Sequence, residues 1–272
     1  MIQRQKRLLS AIWMLAALLC AAPGFAVQEP ASGAPDDQPD AQVLLMRMAD
    51  FLSTAKQFSF NMNAEYDVVQ KSGQKIEFGE SRKITLVRPD RMRVDTERSD
   101  GEKTVALFDG QELTVVSPGQ KVYARVSKPG RVDDAIHFLV ADLGLQLPLA
   151  MMYLTTLPVD LNTRVRSVAF VEQSTITDVP CAHLAARSGD VDFQVWIQSQ
   201  GDPLPRRVVI TYKKAPGQPQ FRANLNGWDL SANPPEGSFS FSPPEGYQGI
   251  AFLAQLDVVK PQARKAKKGG KK

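Results

Sequence analysis

Phe58-Ser-Phe-Asn-Met-Asn-Ala-Glu-Tyr-Asp-Val68 alternates without a slip: Phe58, Phe60, Met62, Ala64, Tyr66 and Val68 are apolar, and Ser59, Asn61, Asn63, Glu65 and Asp67 between them are polar. A period of two marks a strand with one buried and one wet face. Ser72-Gly73 supplies a turn. Residues 75–87 then return with Ile76, Phe78, Ile84 and Leu86 at alternate positions, which makes a long antiparallel hairpin. Pro89-Asp90 breaks the run, and further strands are expected at residues 92–96, 104–108, 112–116 and 122–126. The turns between them carry Asp100-Gly101, Asp109-Gly110 and Pro118-Gly119. Short strands joined by glycine turns at this spacing read as an antiparallel meander.

Upstream of the hairpin the period changes. Asp40 can cap a helix whose apolar positions Leu44, Met48, Phe51, Leu52 and Ala55 fall on one face, with Arg47 and Asp50 outward. Downstream of the meander, Lys128-Pro-Gly130 and the carboxylates of Asp133 and Asp134 suit a helix start. That helix carries Val132, Ile136, Leu139, Val140 and Leu143 on one face. Gly144 ends it, and Pro148 can open a second, short helix. Residues 143–154, Leu-Gly-Leu-Gln-Leu-Pro-Leu-Ala-Met-Met-Tyr-Leu, hold no charge and are apolar on nearly every side. A surface helix does not look like this, so the insert is expected to be buried, as a plug or lid over a hydrophobic hollow. Strands resume at residues 164–172, 181–187, 191–198, 206–213 and 220–230, with a last short one near 238–241.

The ends of the chain state a compartment. Arg4, Lys6 and Arg7 precede an apolar run from Leu8 to Ala22, followed by Pro23-Gly-Phe-Ala26 with small residues at Gly24 and Ala26. This is the layout of a cleaved secretory signal over residues 1–26, and the run falls short of the roughly 20 apolar residues of a membrane anchor. Leu19 stands before Cys20, where lipoprotein processing needs a small side chain. Residues 27–39 read as a disordered linker, residues 40–258 as a single domain, and residues 259–272 as a disordered basic tail. Without the signal, Cys181 is the only cysteine, so no internal disulfide is available in an oxidising space.

Of 33 basic residues, three lie in the signal and seven in the tail, leaving 23 against 29 acidic ones. The body is therefore acidic. The tail is either a solvated solubilising segment or a contact with anionic lipid head groups, each basic residue near such a surface contributing about 1 kcal/mol. Nucleic acid is not expected as a partner outside the cytoplasm.

Reactive constellations are scarce. Cys181 and His183 share one face of a strand but make only half of a metal site, which wants three or four ligands. A hydrolase or metalloprotein would have to use Cys181, His183 and His137. No glycine-rich phosphate loop and no Gly-x-Ser-x-Gly elbow is present, so no enzyme, cofactor or metal is expected. The aromatics Phe193, Trp196, Tyr212 and Trp228 fall on strands, where packing accounts for them one by one. Taken together with the insert, they exceed what a thin core requires.

In order along the chain, Phe58-Ser-Phe-Asn, Leu86-Val-Arg-Pro-Asp-Arg-Met-Arg-Val-Asp95, Phe108-Asp-Gly-Gln-Glu-Leu113 and Pro118-Gly-Gln-Lys-Val-Tyr123 resemble the lipoprotein-carrier superfamily of bacterial envelopes, typified by LolA, LolB and RseB. Asp133-Asp-Ala, Leu145-Gln-Leu-Pro-Leu149, Pro180-Cys-Ala-His183, residues 192–197, Pro203-Leu-Pro205, Val209-Ile-Thr-Tyr212 and Trp228 are similar to a family of predicted periplasmic proteins defined as a domain of unknown function. The resemblance implies a mainly β (α+β) fold, an incomplete antiparallel β-barrel or half-barrel covered by helices, with a hydrophobic cavity between. It also implies that Arg88, of the Arg-Pro pair, ties the sheet to the covering helices and closes the empty site.

The expectation is then a periplasmic, non-enzymatic carrier of a lipid, acyl chain, lipoprotein or other apolar ligand. Phe60, Met62, Phe78 and Leu86 would form its floor, Leu145, Leu147, Leu149, Met151 and Met152 its lid, and Arg88 would hold the lid shut. The alternative is an envelope sensor or scaffold in the manner of RseB, whose ligand is a protein partner.

Overall fold

The computed structural model describes residues 40–252. The expected signal, linker and basic tail lie outside the described residues. The hairpin is the axis of the sheet: β1 (Gln57–Val69) and β2 (Lys75–Val87) pair without a slip from Gln57 opposite Val87 to Val69 opposite Lys75. The meander β3 (Arg91–Arg98), β4 (Lys103–Phe108), β5 (Glu112–Ser117) and β6 (Val122–Ser127) extends it on one side. On the other side β1 pairs with β11 (Gln220–Asp229). Beyond it follow β10 (Pro205–Tyr212), β9 (Val191–Gln198), β8 (Cys181–Ser188) and β7 (Val165–Ser174). A three-residue strand, β12 (Gln248–Ile250), lies parallel to β6 at the opposite end. The ends β12 and β7 do not meet, so the sheet is an open, almost wholly antiparallel half-barrel.

The alternation read from sequence fixes which side is buried. Even-numbered residues of β1 and β2 point to the inner face, and beneath the helices Phe58, Phe60, Met62, Ile84 and Leu86 are each at most 2% exposed. Helix α1 (Ala41–Thr54) buries Leu45, Met48, Ala49 and Leu52 against them, while Arg47 and Asp50 stay outside as expected. Asp40 caps it, its carboxylate accepting from the backbone N–H of Gln42 at 2.8 Å and of Val43 at 3.2 Å. Asp40→Ala is expected to cost about 1 kcal/mol of stability in a urea titration, the usual loss for a side-chain N-cap. A loss near zero would mean that the first turn frays without consequence.

Three local expectations need correction. Helix α2 (Val132–His137) does not continue as one regular helix to residue 143 but widens into a π turn over Phe138–Asp142. The Leu143 N–H reaches the carbonyl of Phe138 across five residues, and the extra residue in that turn rotates Val140 outward to 42% exposure. Gly144, at φ +66°, does end the segment. The second helix is a 3₁₀ turn over Ala150–Tyr153, entered through Leu149 at φ +65° rather than through Pro148. It is followed by α3 (Leu157–Arg164), which the periodicity does not announce because Leu157 is its one fully buried residue.

Nor is there a strand near 238–241. Pro234, Pro235, Pro243 and Pro244 remove donors there, and the chain instead crosses the outer face of the meander. Arg93 donates to the carbonyl of Ser238 and Arg125 to that of Phe241, whose ring lies 5.6 Å from Tyr123.

Candidate functional site

The inner face of the half-barrel is the candidate site, and it has a covered half and an open half. In the covered half, cross-strand neighbours run Phe58, Leu86, Met92, Phe108, Leu113, Val126 and, one rung on, Phe60, Ile84, Val94, Ala106. Helices α1 and α2 and the insert pack on these rungs. Met152, Tyr153 and Leu154 are buried, and Leu145, Leu147, Leu149 and Met151 are half-buried against the same core. The Tyr153 ring sits 6.5 Å from Phe60, which stacks on Trp228 at 4.2 Å. The insert therefore completes a packed core at this end. Two clefts at the rim are lined by other residues: one of about 220 Å³ by Leu44, Arg47 and Ile197 among others, the second by Phe51 and Leu230 with the end of α1.

Past the covered half the apolar face continues in the open. Successive partners across seven strands are Val168, Ala186, Phe193, Ile210, Phe221, Tyr66 and Phe78. Ala186 and Phe221 are buried, Val168, Phe193, Ile210 and Tyr66 are half-buried at the edge of the core, and Phe78 is 38% exposed. Phe78 stacks on Tyr66 at 6.0 Å. The expectation that the insert covers Phe78 is corrected on this point: Phe78 shares the face of Leu86 but lies beyond the lid. Ile76, one step further out, is 39% exposed.

Where the two halves meet, β2 carries charge on its inner face. Glu80 and Arg82 form an ion pair at 2.5 Å with side chains 9% and 18% exposed. Both neighbour the insert's Tyr153, whose phenol is pushed up to about 12 by burial, with the Arg82 charge opposing and Glu80 adding a smaller push upward. Tyr66 is raised as well, again by burial first, with the Arg98 charge opposing. Sequence reading passed over Glu80 and Arg82, although they interrupt the apolar alternation between Phe78 and Ile84. That gap was the available signal.

Arg88 closes the other end of the hairpin, as expected in kind but with a different partner. Its Nε donates to the carbonyl of Ala55 at 3.1 Å and its Nη2 to that of Leu52 at 3.3 Å, so it ties the sheet to the C-terminus of α1 and not to the insert. Burial lowers its pKa, and the nearby Asp133 carboxylate counters this. It is Asp133 that holds the end of the insert, accepting from the Thr155 backbone N–H at 2.6 Å and from its hydroxyl. Sheet, α1, α2 and insert thus converge on Arg88 and Asp133.

Cys181 and His183 lie on the outer face. His183 stacks on Trp196 at 3.9 Å and shares a hydrogen bond with Gln194, while Cys181 touches Thr177 and Val179. Burial pushes the Cys181 thiol up, which disfavours the thiolate. His137 is exposed at the end of α2. Among the described residues no three His, Cys, Asp or Glu side chains stand close enough to hold a metal ion.

Residues 41–253 match the model of a family described as predicted periplasmic protein, DUF2092. No curated protein matches the chain. Among solved structures, similarity is found to the MucA/MucB complex of Pseudomonas aeruginosa, with 18% identity, a TM-score of 0.39, and coverage of 75% of this chain and 62% of that chain. The lipoprotein LppX of Mycobacterium tuberculosis has 11% identity, a TM-score of 0.43, and coverage of 71% and 97%. A LolA superfamily protein of Nitrosomonas europaea has 12% identity, a TM-score of 0.37, and coverage of 75% and 99%. The chain spans under two thirds of the length of the MucB chains it matches.

Proposed function

We propose a function from one premise: this chain belongs to the DUF2092 family of predicted periplasmic proteins, and the periplasm is its compartment. In that setting the open row on the inner face is best read as the seat of an apolar ligand, an acyl chain of a lipid or of a lipoprotein. The protein would then bind or carry that ligand without chemistry.

One observation carries this reading. An apolar rung runs unbroken over seven strands, is continuous with the core, and is only partly covered, ending in the exposed ring of Phe78. Contiguous exposed apolar surface of this kind is kept in a soluble domain for something that covers it. Each methylene laid on such a surface contributes about 0.8 kcal/mol when fully buried, so a chain of modest length binds without a catalytic or charged anchor. The ligand seat therefore lies beyond the floor expected from sequence. Of Phe60, Met62, Phe78 and Leu86, only Phe78 faces the open half; the other three, with Leu145, Leu147, Leu149, Met151 and Met152, form the packed end against which a chain would abut.

Protein purified from the periplasm is expected to carry a bound apolar molecule, seen as added mass in native mass spectrometry and recovered by organic extraction. After delipidation it should take up a long-chain acyl compound again. Protein that emerges empty and refuses reloading would overturn the proposal.

A further inference from the structure

The ion pair at the boundary of the two halves is unlike the rest of the inner face. Glu80 and Arg82 stand on β2 between buried Ile84 and exposed Phe78, where the packed core gives way to the open row. Arg82 brings five N–H donors. Glu80 is its one ion-pair partner, through Nη2, and its Nε is buried with no hydrogen-bond partner among the described residues. A desolvated donor without an acceptor is costly, and a buried ion pair is stable only when its remaining donors are met.

The charges nearby decide what kind of acceptor is missing. Arg98 stands opposite Glu80 in register and pairs with Asp100 and Glu102. Counted together, the arginines Arg82 and Arg98 face the carboxylates Glu80, Asp100 and Glu102, so no positive charge is left over. An anionic head group would find no uncompensated cation there. A pure alkane would offer no acceptor. A neutral carbonyl meets both conditions.

We propose that Arg82, held by Glu80, is a subsite for the carbonyl of a neutral acyl ester whose chain lies along the open row past Tyr66 and Phe78. The Arg82 guanidinium turns on its flexible stem to present its free donor, and Tyr153 of the insert borders the head group. This inference rests on the carrier reading and narrows it to esterified acyl chains, as against free fatty acids.

The test uses the delipidated full chain and an equimolar mixture of methyl palmitate, palmitate and hexadecane, delivered from cyclodextrin at pH 8. What stays bound after gel filtration is extracted and quantified. Methyl palmitate is expected to be retained over each of the other two by about tenfold, the worth of one charge-assisted hydrogen bond. Arg82→Met should abolish that preference while total apolar load is kept; if this variant fails to fold with Glu80 left alone, Glu80→Gln/Arg82→Met serves in its place. A peptide bearing a dipalmitoylglyceryl group and free dipalmitoylglycerol, added as competitors, distinguish a lipidated polypeptide from a free lipid as the source of the ester. Displacement of methyl palmitate by either is expected, and displacement by neither counts against the subsite. Palmitate retained as well as its ester, or a preference unchanged in Arg82→Met, overturns the subsite alone. Retention of none of the three overturns the carrier reading with it.

Discussion

Phe60→Ala is expected to lower unfolding stability by about 3–5 kcal/mol, the usual range for truncating a fully buried phenylalanine. Phe60 is 2% exposed and lies among rings from its own strand, β11 and the insert. Its ring stacks on Trp228 of β11 at 4.2 Å, lies 6.1 Å from Phe58 on its own strand, and 6.5 Å from Tyr153 of the insert. Neighbours drawn from separate segments, each tied down elsewhere, cannot collapse together into the space left behind. Trp228 is pinned by its indole N–H to the carbonyl of Pro205 at 3.1 Å. Against a total stability of order 5–15 kcal/mol the loss is a large fraction. Urea titration followed by tryptophan fluorescence measures it, with Val159→Ala, at a site 68% exposed, as the control expected to stay within about 0.5 kcal/mol. A loss under about 1 kcal/mol at Phe60 would contradict the packing described.

Arg88→Ala is expected to cost about 2–3 kcal/mol and to do so locally first. Two charge-assisted hydrogen bonds run from its guanidinium to the last carbonyls of α1, where the helix has no intrahelical donors left and where a cation is favoured. The figure is kept near the lower end for two such bonds because Arg88 is only half-buried. Lysine should restore little, since a single ammonium cannot bridge Leu52 and Ala55 in the way a planar fork does. Amide hydrogen exchange separates this from general destabilisation. Protection should fall in the last turn of α1 under conditions where β1 and β2 keep theirs, and a uniform fall would refute the local role.

The legible part of this protein was whatever repeats at short range. The alternation of Phe58 to Val68, the capping carboxylate of Asp40 and the glycine at residue 144 each name their local structure, and the structure agrees. Arg88 was expected, through the resemblance, to tie the sheet to covering helices, but the helix it serves is a tertiary fact that no local pattern encodes. The open row was not legible at all. Tyr66 and Phe221 become neighbours only through the β1–β11 pairing, and Phe193, Ile210 and Val168 join them only through registers set far along the chain. Exposure of Phe78 depends in turn on how far the covering segments reach along β2, which no local pattern states. Glu80 and Arg82 stood in plain view at inward positions, and an alternation read for its apolar members alone steps over them.

The pairing of β1 with β11 also sets an order of events. Synthesis runs from the amino terminus, so the β1–β2 hairpin exists long before residues 220–229 do. Until they arrive, a thirteen-residue strand offers one row of unpaired backbone donors and acceptors to any passing strand. A product that stops short of residue 220 keeps that edge for good. Guarding the nascent chain therefore falls to whatever meets it first, and the hazard sits at its oldest strand, not at its newest.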